Sequence, residues 1–588
     1  MNYHPFILPF GIGAISLFGM LFFLFTKWVL SLSKNQKAIL KRNIFSFRIL
    51  KAVWEAIREC LFHRNIFKTN PILGYMHFSL ACGWLLLIVV GKIETTFYSG
   101  TFWDEAWLAI FFRYFENPEV TFTGKYAFNF VMDLLLLFVL SGLFIAVVKR
   151  FYSKITGMKR TTKHSWYDRI TLISLWCIFP LRLTAESISA GIKHNGGFLT
   201  QSLGDALSVF PLESLELPFW WGYSFALCFF FIGMPFTRYM HIFTEVLLIC
   251  LRKWGITEER THTGYTDIEL NACSRCGICI DVCPIHSELD INTIQSVYFI
   301  RDARYKKLTD DTANNCLMCN RCVTACPVGI ESTKIREIYR KKNNVEAKQY
   351  YGYISEKHTD AQPKIIYFAG CMSHLTPNTI ESMKKIFEAA KQSYWFMDED
   401  KSICCGRPLL QQGYQEQAAE LQQKNTELIR QSGAKRLVTS CAICYQSFKK
   451  EYDLDIEILH HTEYIHELMQ KGLLQLNKSE IKAVYHDPCE LGRGCGIYDI
   501  PRKVIETVAH LSAAKQEKEK SICCGYNLGN TTLELDQQMK IRNAALENMV
   551  AENPDVIVTA CPLCKHAFSH GTKQNVEDIS ELVAHMIP

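Results

Sequence analysis

Long apolar stretches dominate the first 250 residues of the chain, whereas shorter hydrophobic runs alternate with polar ones in the rest. Five of these stretches could form a helix of about 20 residues, the length that crosses a bilayer. The first stretch has neither a basic leader nor a small-residue cleavage site, so we expect a membrane span and not a signal peptide. The predicted spans are Phe6–Leu30, Ile72–Val90, Tyr126–Val148, Ile170–Ala190 and Phe219–Ile242.

Charged residues in the connections between these stretches predict their orientation. The connections after the first and third stretches are rich in lysine and arginine, whereas the other two are acidic. Positively charged loops of membrane proteins stay on the cytoplasmic side. The pattern therefore predicts a multi-pass protein of the cytoplasmic (inner) membrane, with its N-terminus outside and everything after Arg252 in the cytoplasm.

A segment with helical periodicity follows the first predicted span. In the segment Ala38–Phe62, one helix face carries Val53, Ile57 and Leu61, with Trp54 beside them. Basic residues lie on the opposite face. This pattern is typical of a helix that lies on the cytoplasmic membrane surface. A helix packed against the soluble part of the chain would show the same pattern, so both interpretations stay open.

Two histidines fall inside predicted spans, His77 in the second and His241 in the fifth, each near the cytoplasmic end. Because these helices run antiparallel, we expect the imidazoles at similar depth, as axial ligation of a b-type haem requires. The alternative is that each histidine is a polar anchor near the membrane interface. We expect one haem, because His63 falls in a loop and His194 on the outer side, and a second haem stays open.

The fourth predicted span contains Arg182 and Glu186, four residues apart on one helix face in its outer half. Ionisable groups at that depth are costly and face a bundle interior or a cavity. Arg182 and Glu186 therefore predict a quinone pocket in which they bind and release protons. Asp133 of the third span is expected at a similar depth in the membrane, near enough to join them. The alternative is an ion pair that satisfies itself and has only a structural role.

Composition narrows the chemistry further. The net charge of +6 over 588 residues is small and gives no indication of nucleic-acid binding. Nineteen of the 24 cysteines lie between Cys273 and Cys564, mostly in tight clusters. In a long chain this spacing indicates metal ligation in a reducing compartment and not a disulfide framework.

Two segments, CSRCGICIDVCP and CLMCNRCVTACP, share the spacing C-x2-C-x2-C-x3-C-P. This spacing wraps a [4Fe–4S] cube, and the fourth cysteine binds the neighbouring cluster. Zinc sites also use C-x2-C pairs, but not four cysteines so spaced, twice, each followed by proline. The insert between the motifs predicts a helical ferredoxin domain. The first cube is assigned to Cys273, Cys276, Cys279 and Cys326, and the second to Cys283, Cys316, Cys319 and Cys322.

The last 225 residues repeat one pattern: a single cysteine, then Cys-Cys-Gly, then C-x2-C. The intervals nearly match, with 32 and 33 residues before the double cysteine and 35 and 36 after it. Leu437–Thr439 and Val556–Thr559 predict strands that end at the cysteines, and Gln415–Ser432 and Leu535–Glu552 predict helices. Each copy is therefore expected to be an α/β unit that gathers five cysteines around an unusual cluster. The sets are Cys371, Cys404, Cys405, Cys441 and Cys444, and Cys489, Cys523, Cys524, Cys561 and Cys564.

This repeated pattern resembles the cysteine-rich CCG domain of heterodisulfide reductases. With five spans and two cubane motifs, nearly the whole chain resembles a fusion of the cytochrome b and catalytic subunits of membrane heterodisulfide reductase. It is equally similar to the membrane-bound electron-transferring-flavoprotein:menaquinone oxidoreductases. The resemblance implies that each set of five cysteines holds a noncubane [4Fe–4S] cluster. It also implies that His77 and His241 correspond to the haem ligands of the family's nitrate-reductase-gamma-like cytochrome.

The chain departs from these relatives after the second Cys-Cys-Gly. Tyr526, Asn527 and Leu528 stand where relatives have a glycine-rich stretch. A bulkier loop beside that cluster argues against direct access by a large disulfide. Cys495 lies outside the five-cysteine pattern and is interpreted as a packed thiol.

The expected fold class is multidomain, with a five-helix transmembrane bundle, a helical two-cluster ferredoxin domain and two tandem α/β CCG domains. The expected boundaries are 1–252 for the membrane cytochrome b-like domain, 253–346 for the ferredoxin-like domain, and 347–478 and 479–588 for the two CCG domains.

The sequence contains no nucleotide-binding fingerprint, so the protein is expected to exchange electrons with a partner. The favoured hypothesis is an oxidoreductase that transfers electrons from a cytosolic flavoprotein or dehydrogenase, through the clusters and haem b, to menaquinone in the lipid membrane. One alternative is a thiol–disulfide reductase whose reactive site is surrounded by Cys404, Cys405, Cys523 and Cys524. Another is the iron–sulfur membrane anchor of a dehydrogenase complex. No nucleic-acid partner is expected.

Overall fold

The structure is a computed structural model, in which the described residues are 3–158, 162, 164–340, 354, 363–530, 532–550 and 553–588. Contacts divide the chain into two compact units, Met1–Gly277 and Ile278–Pro588. The expected domain boundary at residues 346 and 347 lies outside the described residues. Three basic residues of the loop before the fourth span also lie outside them, namely Lys159, Arg160 and Lys163.

The first unit is helical and contains five helices that are long and apolar enough to cross a membrane. Within it α8 packs against α10 and α9, α5 against α7, and α1 against α10. The predicted five-helix bundle is thus confirmed. The helices of this unit are α1 (Ile7–Leu30), α2 (Lys34–Asn43), α3 (Arg48–Ala56), α4 (Arg64–Thr69), α5 (Pro71–Ser99), α6 (Leu108–Phe115), α7 (Lys125–Phe151), α8 (Trp166–Lys193), α9 (Phe198–Leu207), α10 (Leu212–Gly233), α11 (His241–Lys253) and α12 (Gly264–Asn271).

Capping residues determine where the long helices begin. The Asn70 side chain accepts a hydrogen bond from the Leu73 amide at 3.0 Å, and Pro71 occupies the first turn of α5, where no amide donor is needed. Ser165 and Asp168 form a reciprocal capping box at the start of α8. These local signals explain why α5 and α8 start at or before the apolar stretches that predicted them.

The fifth span differs from its prediction, because it covers Leu212–Phe236 and ends before His241. Pro235 supplies no amide donor, and the chain makes two 3-10 turns, Met234–Phe236 and Arg238–Met240, before it becomes helical again. The placement of His241 inside the fifth span is therefore wrong, since this residue is the first of α11.

The predicted surface helix at Ala38–Phe62 is divided in the structure. It consists of α2, α3 and a π-helical turn at Ile57–Leu61. One side of α3 packs against α11, whereas Val53 and Trp54 remain 49% and 64% exposed. An exposed apolar face on a short amphipathic helix fits a membrane surface better than a polar solvent.

The second unit begins with short helices joined by cysteine-bearing loops, as expected of a helical ferredoxin domain. The buried guanidinium of Arg336 donates to the carbonyls of Ala313 and Ile294, at 3.3 and 2.5 Å, and ties two of these segments together. The helices are α13 (Ile278–Asp281), α14 (Pro284–Ser287), α15 (Ser296–Arg304), α16 (Asp310–Asn314), α17 (Arg321–Thr324) and α18 (Ser332–Tyr339).

Two α/β domains of the same topology follow, and each has a four-stranded parallel sheet. Their strand orders, β2-β1-β3-β4 and β6-β5-β7-β8, are equivalent, which confirms the internal repeat. The first contains β1 (Ile365–Phe368), α19 (Pro377–Ala389), β2 (Trp395–Phe396), α20 (Arg407–Gln412), α21 (Gln415–Gln431), β3 (Arg436–Thr439), α22 (Ala442–Glu451), β4 (Glu457–His460) and α23 (His461–Gln470). The second contains β5 (Lys482–His486), α24 (Gly492–Cys495), α25 (Asp499–Val508), β6 (His510–Ser512), α26 (Leu535–Met549), β7 (Val556–Thr559), α27 (Pro562–Ser569), β8 (Asn575–Asp578) and α28 (Ile579–Ala584).

One apolar core extends through both α/β domains. Buried polar contacts also cross between them: Thr379 donates to Glu581 at 2.8 Å, and His461 lies 3.0 Å from Asp578. Because neither residue of the second pair is exposed, these contacts hold the two domains in one arrangement. The loops that carry the cysteines leave the carboxyl ends of the parallel strands, where ligand sites of such sheets form.

Candidate metal and cofactor sites

The five cysteines of the first CCG domain lie together at the carboxyl end of its sheet. Cys371 follows β1, the Cys404–Cys405 pair precedes α20, and Cys441 and Cys444 open α22. Side-chain hydrogen bonds connect Cys371 to Cys404, Cys404 to Cys405 and Cys405 to Cys444. The contact with Cys371 lowers the pKa of the Cys404 thiol to about 3. A site of adjoining sulfurs, one of them acidic, is suited to binding iron as thiolates.

Gly370 makes room for this sulfur cluster. Its φ of +88° is strained for residues with a side chain, and a Cβ there would lie 2.8 Å from Cys441 Cβ and 2.9 Å from Cys444 Sγ. A larger residue would therefore displace two of the predicted ligands.

Buried hydrogen bonds hold the double-cysteine loop of the first domain. Asn425 donates to the Cys404 carbonyl at 2.8 Å, and the hydroxyls of Tyr452 and Ser447 donate to the Cys405 carbonyl at 3.0 and 3.1 Å. These contacts fix the backbone at the ligands without using their sulfurs, as supporting residues of metal sites do.

The second CCG domain gathers its five cysteines in the same way, and all five are buried. Cys523 is hydrogen-bonded to Cys489 and Cys524, and Cys564 to Cys524 and Cys561. The chain thus brings together both complete sets that the sequence predicted.

The bulky loop after the second Cys-Cys-Gly is packed and not open. Asn527 is 6% exposed, accepts from the Gly529 amide at 2.7 Å and donates to Glu490 at 3.4 Å. Glu490 also accepts from Gln411 of the first CCG domain at 2.9 Å, and Gln412 donates to the Leu528 carbonyl at 3.0 Å. The loop therefore closes the space between the two CCG domains.

The cysteines of the second cubane set line a common pocket in the ferredoxin part of the second unit. Its walls include the complete predicted set, Cys283, Cys316, Cys319 and Cys322. Burial and the neighbouring cysteines raise the pKa of the Cys322 thiol to about 11, and Ser332 contacts its sulfur at 3.5 Å. A thiol that resists ionisation alone becomes a thiolate when iron supplies the compensating charge.

The four cysteines of the first cubane set are divided between the two compact units along the chain. Cys273 and Cys276 belong to the first unit, and Cys279 and Cys326 to the second. Within the first unit, Arg275 has a φ of +54° and forms a buried 2.7 Å ion pair with Asp168 at the start of α8. This pair fixes the loop that carries Cys276.

Among the described residues, no three His, Cys, Asp or Glu side chains converge as the ligands of a single metal ion would. A four-iron cluster places different demands on its ligands, because each cysteine binds a separate iron atom and the sulfurs stand farther apart.

His77 and His241 line one cavity of the first unit. His241 donates from Nδ1 to the Arg238 carbonyl at 2.7 Å, which sets the tautomer that presents Nε2 to a metal. Lys149, Arg150 and Arg238 line the same cavity and could pair with carboxylates. Two imidazoles could supply the axial ligands of a haem, and the three cations could pair with its propionates. Haem ligation by these histidines stays a prediction, because His241 begins a separate helix and does not lie in the fifth span.

His63, which its place in a loop had excluded as a haem ligand, is a neighbour of His77. The two rings stack with centroids 5.4 Å apart, and His63 Nδ1 contacts the Leu61 carbonyl at 3.1 Å. Burial lowers the pKa of His63, so its ring is held neutral. Its left-handed backbone conformation, with φ at 52°, turns a loop residue toward α5, and no sequence periodicity predicts that turn.

In the outer part of the bundle, Arg182 and Glu186 form a buried ion pair at 2.9 Å. Asp133 does not join this pair, because its carboxylate accepts hydrogen bonds from the amides of Leu199 and Thr200 at 2.7 and 3.0 Å and so caps α9. The expected role of Asp133 beside the pair is therefore wrong.

A second buried ionic group in the bundle was not predicted. Arg113 of α6 lies 2.9 Å from both Glu94 and Glu116, and Lys125 lies 3.2 Å from Glu116. Arg113 falls in a short amphipathic helix outside the predicted spans, so hydropathy gave no reason to place it inside the bundle.

Family comparisons agree with these sites. The model of the cysteine-rich domain, CCG, matches residues 365–449 and 483–569, and the model of the 4Fe-4S dicluster domain matches residues 269–330. The chain is thus an iron–sulfur oxidoreductase that binds [4Fe–4S] clusters. In this combination of two CCG domains with a ferredoxin domain, the chain is similar to heterodisulfide reductase-like iron–sulfur proteins.

Two relatives illustrate the family. One is a subunit of the dihydromethanophenazine:CoB–CoM heterodisulfide reductase of Methanosarcina barkeri, 26% identical over 344 residues that cover 54% of this chain and 77% of that protein. The other is the EtfAB:quinone oxidoreductase of Syntrophomonas wolfei, 23% identical in an alignment that covers 86% of this chain and 85% of that protein. The second similarity therefore also includes most of the membrane part.

Proposed function

We propose that this protein is a membrane-bound electron conduit that oxidises a reduced cytosolic flavoprotein and reduces menaquinone. One observation carries the proposal: Cys276 of the first cubane motif lines the same cavity as His77 and His241. A predicted ligand of an iron–sulfur cluster and two predicted haem ligands thus lie at one cavity. This proximity suits electron transfer between the first cubane and the haem. The similarity to an EtfAB:quinone oxidoreductase over 86% of the chain supports the flavoprotein and the quinone as partners.

The proposed carriers are two noncubane clusters in the CCG domains, two cubanes and one haem b. When bound, the clusters and the haem supply one-electron carriers whose potentials depend on their ligands and surroundings. The chain contributes the eighteen cysteines of the four sets, the axial histidines and the cations around them. The positive-inside pattern supports a cytoplasmic position for the iron–sulfur part.

Arg182 and Glu186 are the proposed quinone-site residues. Reduction of a quinone to a quinol consumes two electrons and two protons, so the site needs a group that moves protons. The Glu186 carboxylate can bind and release a proton, and Arg182 at 2.9 Å holds it in place. An ionisable pair buried in a bundle carries an energetic cost that a proton-transfer role would explain.

The runner-up function is thiol–disulfide reduction, with Cys404, Cys405, Cys523 and Cys524 at the reactive site. The relative from a heterodisulfide reductase supports it. Against it stands the loop at Tyr526–Leu528, which Glu490 and Gln412 hold between the CCG domains. This packing leaves less room for a large disulfide than a glycine-rich loop would.

The test uses full-length protein, purified without oxygen in detergent and reduced with dithionite. A menaquinone analogue is added, and the haem and cluster absorption bands are followed in time. Reoxidation of the haem, followed by the clusters, is the expected result. If the quinone changes neither band while a small disulfide reoxidises the clusters, the conduit is wrong and the disulfide reductase replaces it.

A further inference from the structure

A contact between two cysteines connects the ferredoxin part to the second CCG domain. Cys319 belongs to the second cubane set, and Cys523 is the first residue of the second Cys-Cys-Gly. Both are buried, their side chains are hydrogen-bonded, and they share an apolar cluster with Ile285 and Leu317. Two of the predicted cluster sites therefore meet here, and we call this contact the Cys319–Cys523 junction.

Arg493 lies at the Cys319–Cys523 junction. Its Nε donates to the Cys319 carbonyl at 2.7 Å, and its Nη1 donates to the Ser521 carbonyl at 2.8 Å. Its Nη2 is buried and has no hydrogen-bond partner among the described residues. One guanidinium thus bonds to a ligand of the cubane set and to the segment just before the Cys523–Cys524 ligands.

Arg493 has no carboxylate partner in the part of the chain that the structure describes. Among the residues that the structure describes, no Asp or Glu forms an ion pair with it, and the groups on which its charge acts most strongly include Cys319, Cys489 and Cys523. Arg407, which follows the first Cys-Cys-Gly, differs in this respect, because it lies 3.2 Å from Glu337 and 3.7 Å from Glu451.

We propose that Arg493 is a positioning residue that raises the reduction potentials of both clusters at the Cys319–Cys523 junction. Reduction adds a negative charge to a cluster, and a nearby cation in a dry environment stabilises the reduced state. The step it serves is the transfer of one electron from the cluster of the second CCG domain to the second cubane. The first cluster is oxidised, the second is reduced, and no atom or proton moves. The inference rests on the proposed electron conduit for its direction of transfer.

The test is an equilibrium redox titration of the full-length protein, followed by electron paramagnetic resonance. Cys319→Ser and Cys523→Ser assign the signals of the two clusters. Arg493→Gln removes the charge, Arg493→Lys retains it, and Arg430→Gln is the control because Arg430 is exposed in the first CCG domain. In Arg493→Gln the reduction potentials of both clusters at the junction should fall by about 59 mV, which is about tenfold in the one-electron equilibrium. Arg493→Lys should lie between this variant and the wild type.

Three results would overturn the inference: unchanged potentials in Arg493→Gln at full iron content, an equal shift of every cluster, or loss of iron in both Arg493 variants. The last would make Arg493 a structural residue. A wild-type protein that quinone does not reoxidise would contradict the proposed function, whereas the potentials measured here would still decide the role of Arg493.

Discussion

The predicted ligand residues depend on neighbours that fix their orientation. His241 is oriented by the Arg238 carbonyl, and the double cysteine of the first CCG domain by Asn425 and Tyr452. Sequence spacing identifies ligands such as Cys404, because a cluster imposes a fixed pattern on the chain. It does not identify the supporting residues, because a hydrogen bond to a backbone carbonyl can come from any part of the fold.

At this scale, His77→Ala should abolish the haem absorbance and leave the iron–sulfur content unchanged. The substitution removes one axial ligand from the cavity but does not alter any cysteine set. Visible spectroscopy and iron analysis of the purified variant measure both effects. His194→Ala, at an exposed position at the end of α8, is the control and should retain the haem. Retention of haem by His77→Ala would contradict the ligand assignment.

Cys523→Ser should remove one cluster, or about four iron atoms per chain, because it deletes a sulfur in contact with two other members of its set. Cys495→Ser is the matched control in the same domain. Cys495 lies outside the five-cysteine set, and burial raises its pKa to about 12, as expected of a packed thiol. Equal iron loss in the two variants would show that the five-cysteine assignment is incorrect.

At the scale of elements, the sequence predicted what periodicity and composition determine. The five spans, the helical ferredoxin part and the repeated α/β domains follow from hydropathy, cysteine spacing and β-branched runs. The interruption before His241 was missed, because apolar residues lie on both sides of Thr237 and Arg238, whereas Pro235 and the 3-10 turns end the helix. The burial of Arg113 was missed because it depends on contacts with Glu94 and Glu116 that only the folded bundle provides.

Glu258, which lies just before helix α12, should make the stability of the protein depend on pH. Burial, followed by the charge of Glu269, raises the pKa of Glu258 well above its ordinary value, and Thr266 donates to the Glu258 carboxylate at 2.6 Å. The folded state therefore holds a proton that the unfolded state releases, and stability falls as the pH rises above about 4.5.

Glu258→Gln keeps the shape of the protonated side chain but cannot ionise. Its melting temperature should match that of the wild type near pH 5 and exceed it at pH 8, by about 2–4 °C for each kcal/mol gained. Thermal unfolding in detergent, followed by intrinsic fluorescence at both pH values, measures the difference. Glu105→Gln, at an exposed position, should show no such divergence. A constant difference between Glu258→Gln and the wild type at all pH values would refute the assignment.

For the whole molecule, the proposal requires carriers in series, and a series can be interrupted at defined points. The cysteine set of the second CCG domain meets the second cubane set at Cys523 and Cys319, and Cys276 lines the cavity of His77 and His241. Each of these connections links motifs that are distant in sequence. Sequence patterns could therefore predict the carriers and their order, but not the residues that bring neighbouring carriers together.

Two variants should interrupt the proposed series at different points. In His77→Ala, a reduced flavoprotein should still reduce the clusters, but menaquinone should not reoxidise them, because the haem between them is missing. In Glu186→Gln, haem and clusters should both be reduced, and reoxidation by menaquinone should slow by about 10²–10⁴-fold, the usual contribution of a proton-transfer group.

Stopped-flow spectroscopy of the haem and cluster bands separates the two cases. Asp205→Asn, at an exposed position in α9, is the control for Glu186→Gln and should behave like the wild type. If quinone reoxidises the clusters of His77→Ala at the wild-type rate, electrons reach the quinone without the haem, and the proposed order of carriers is incorrect.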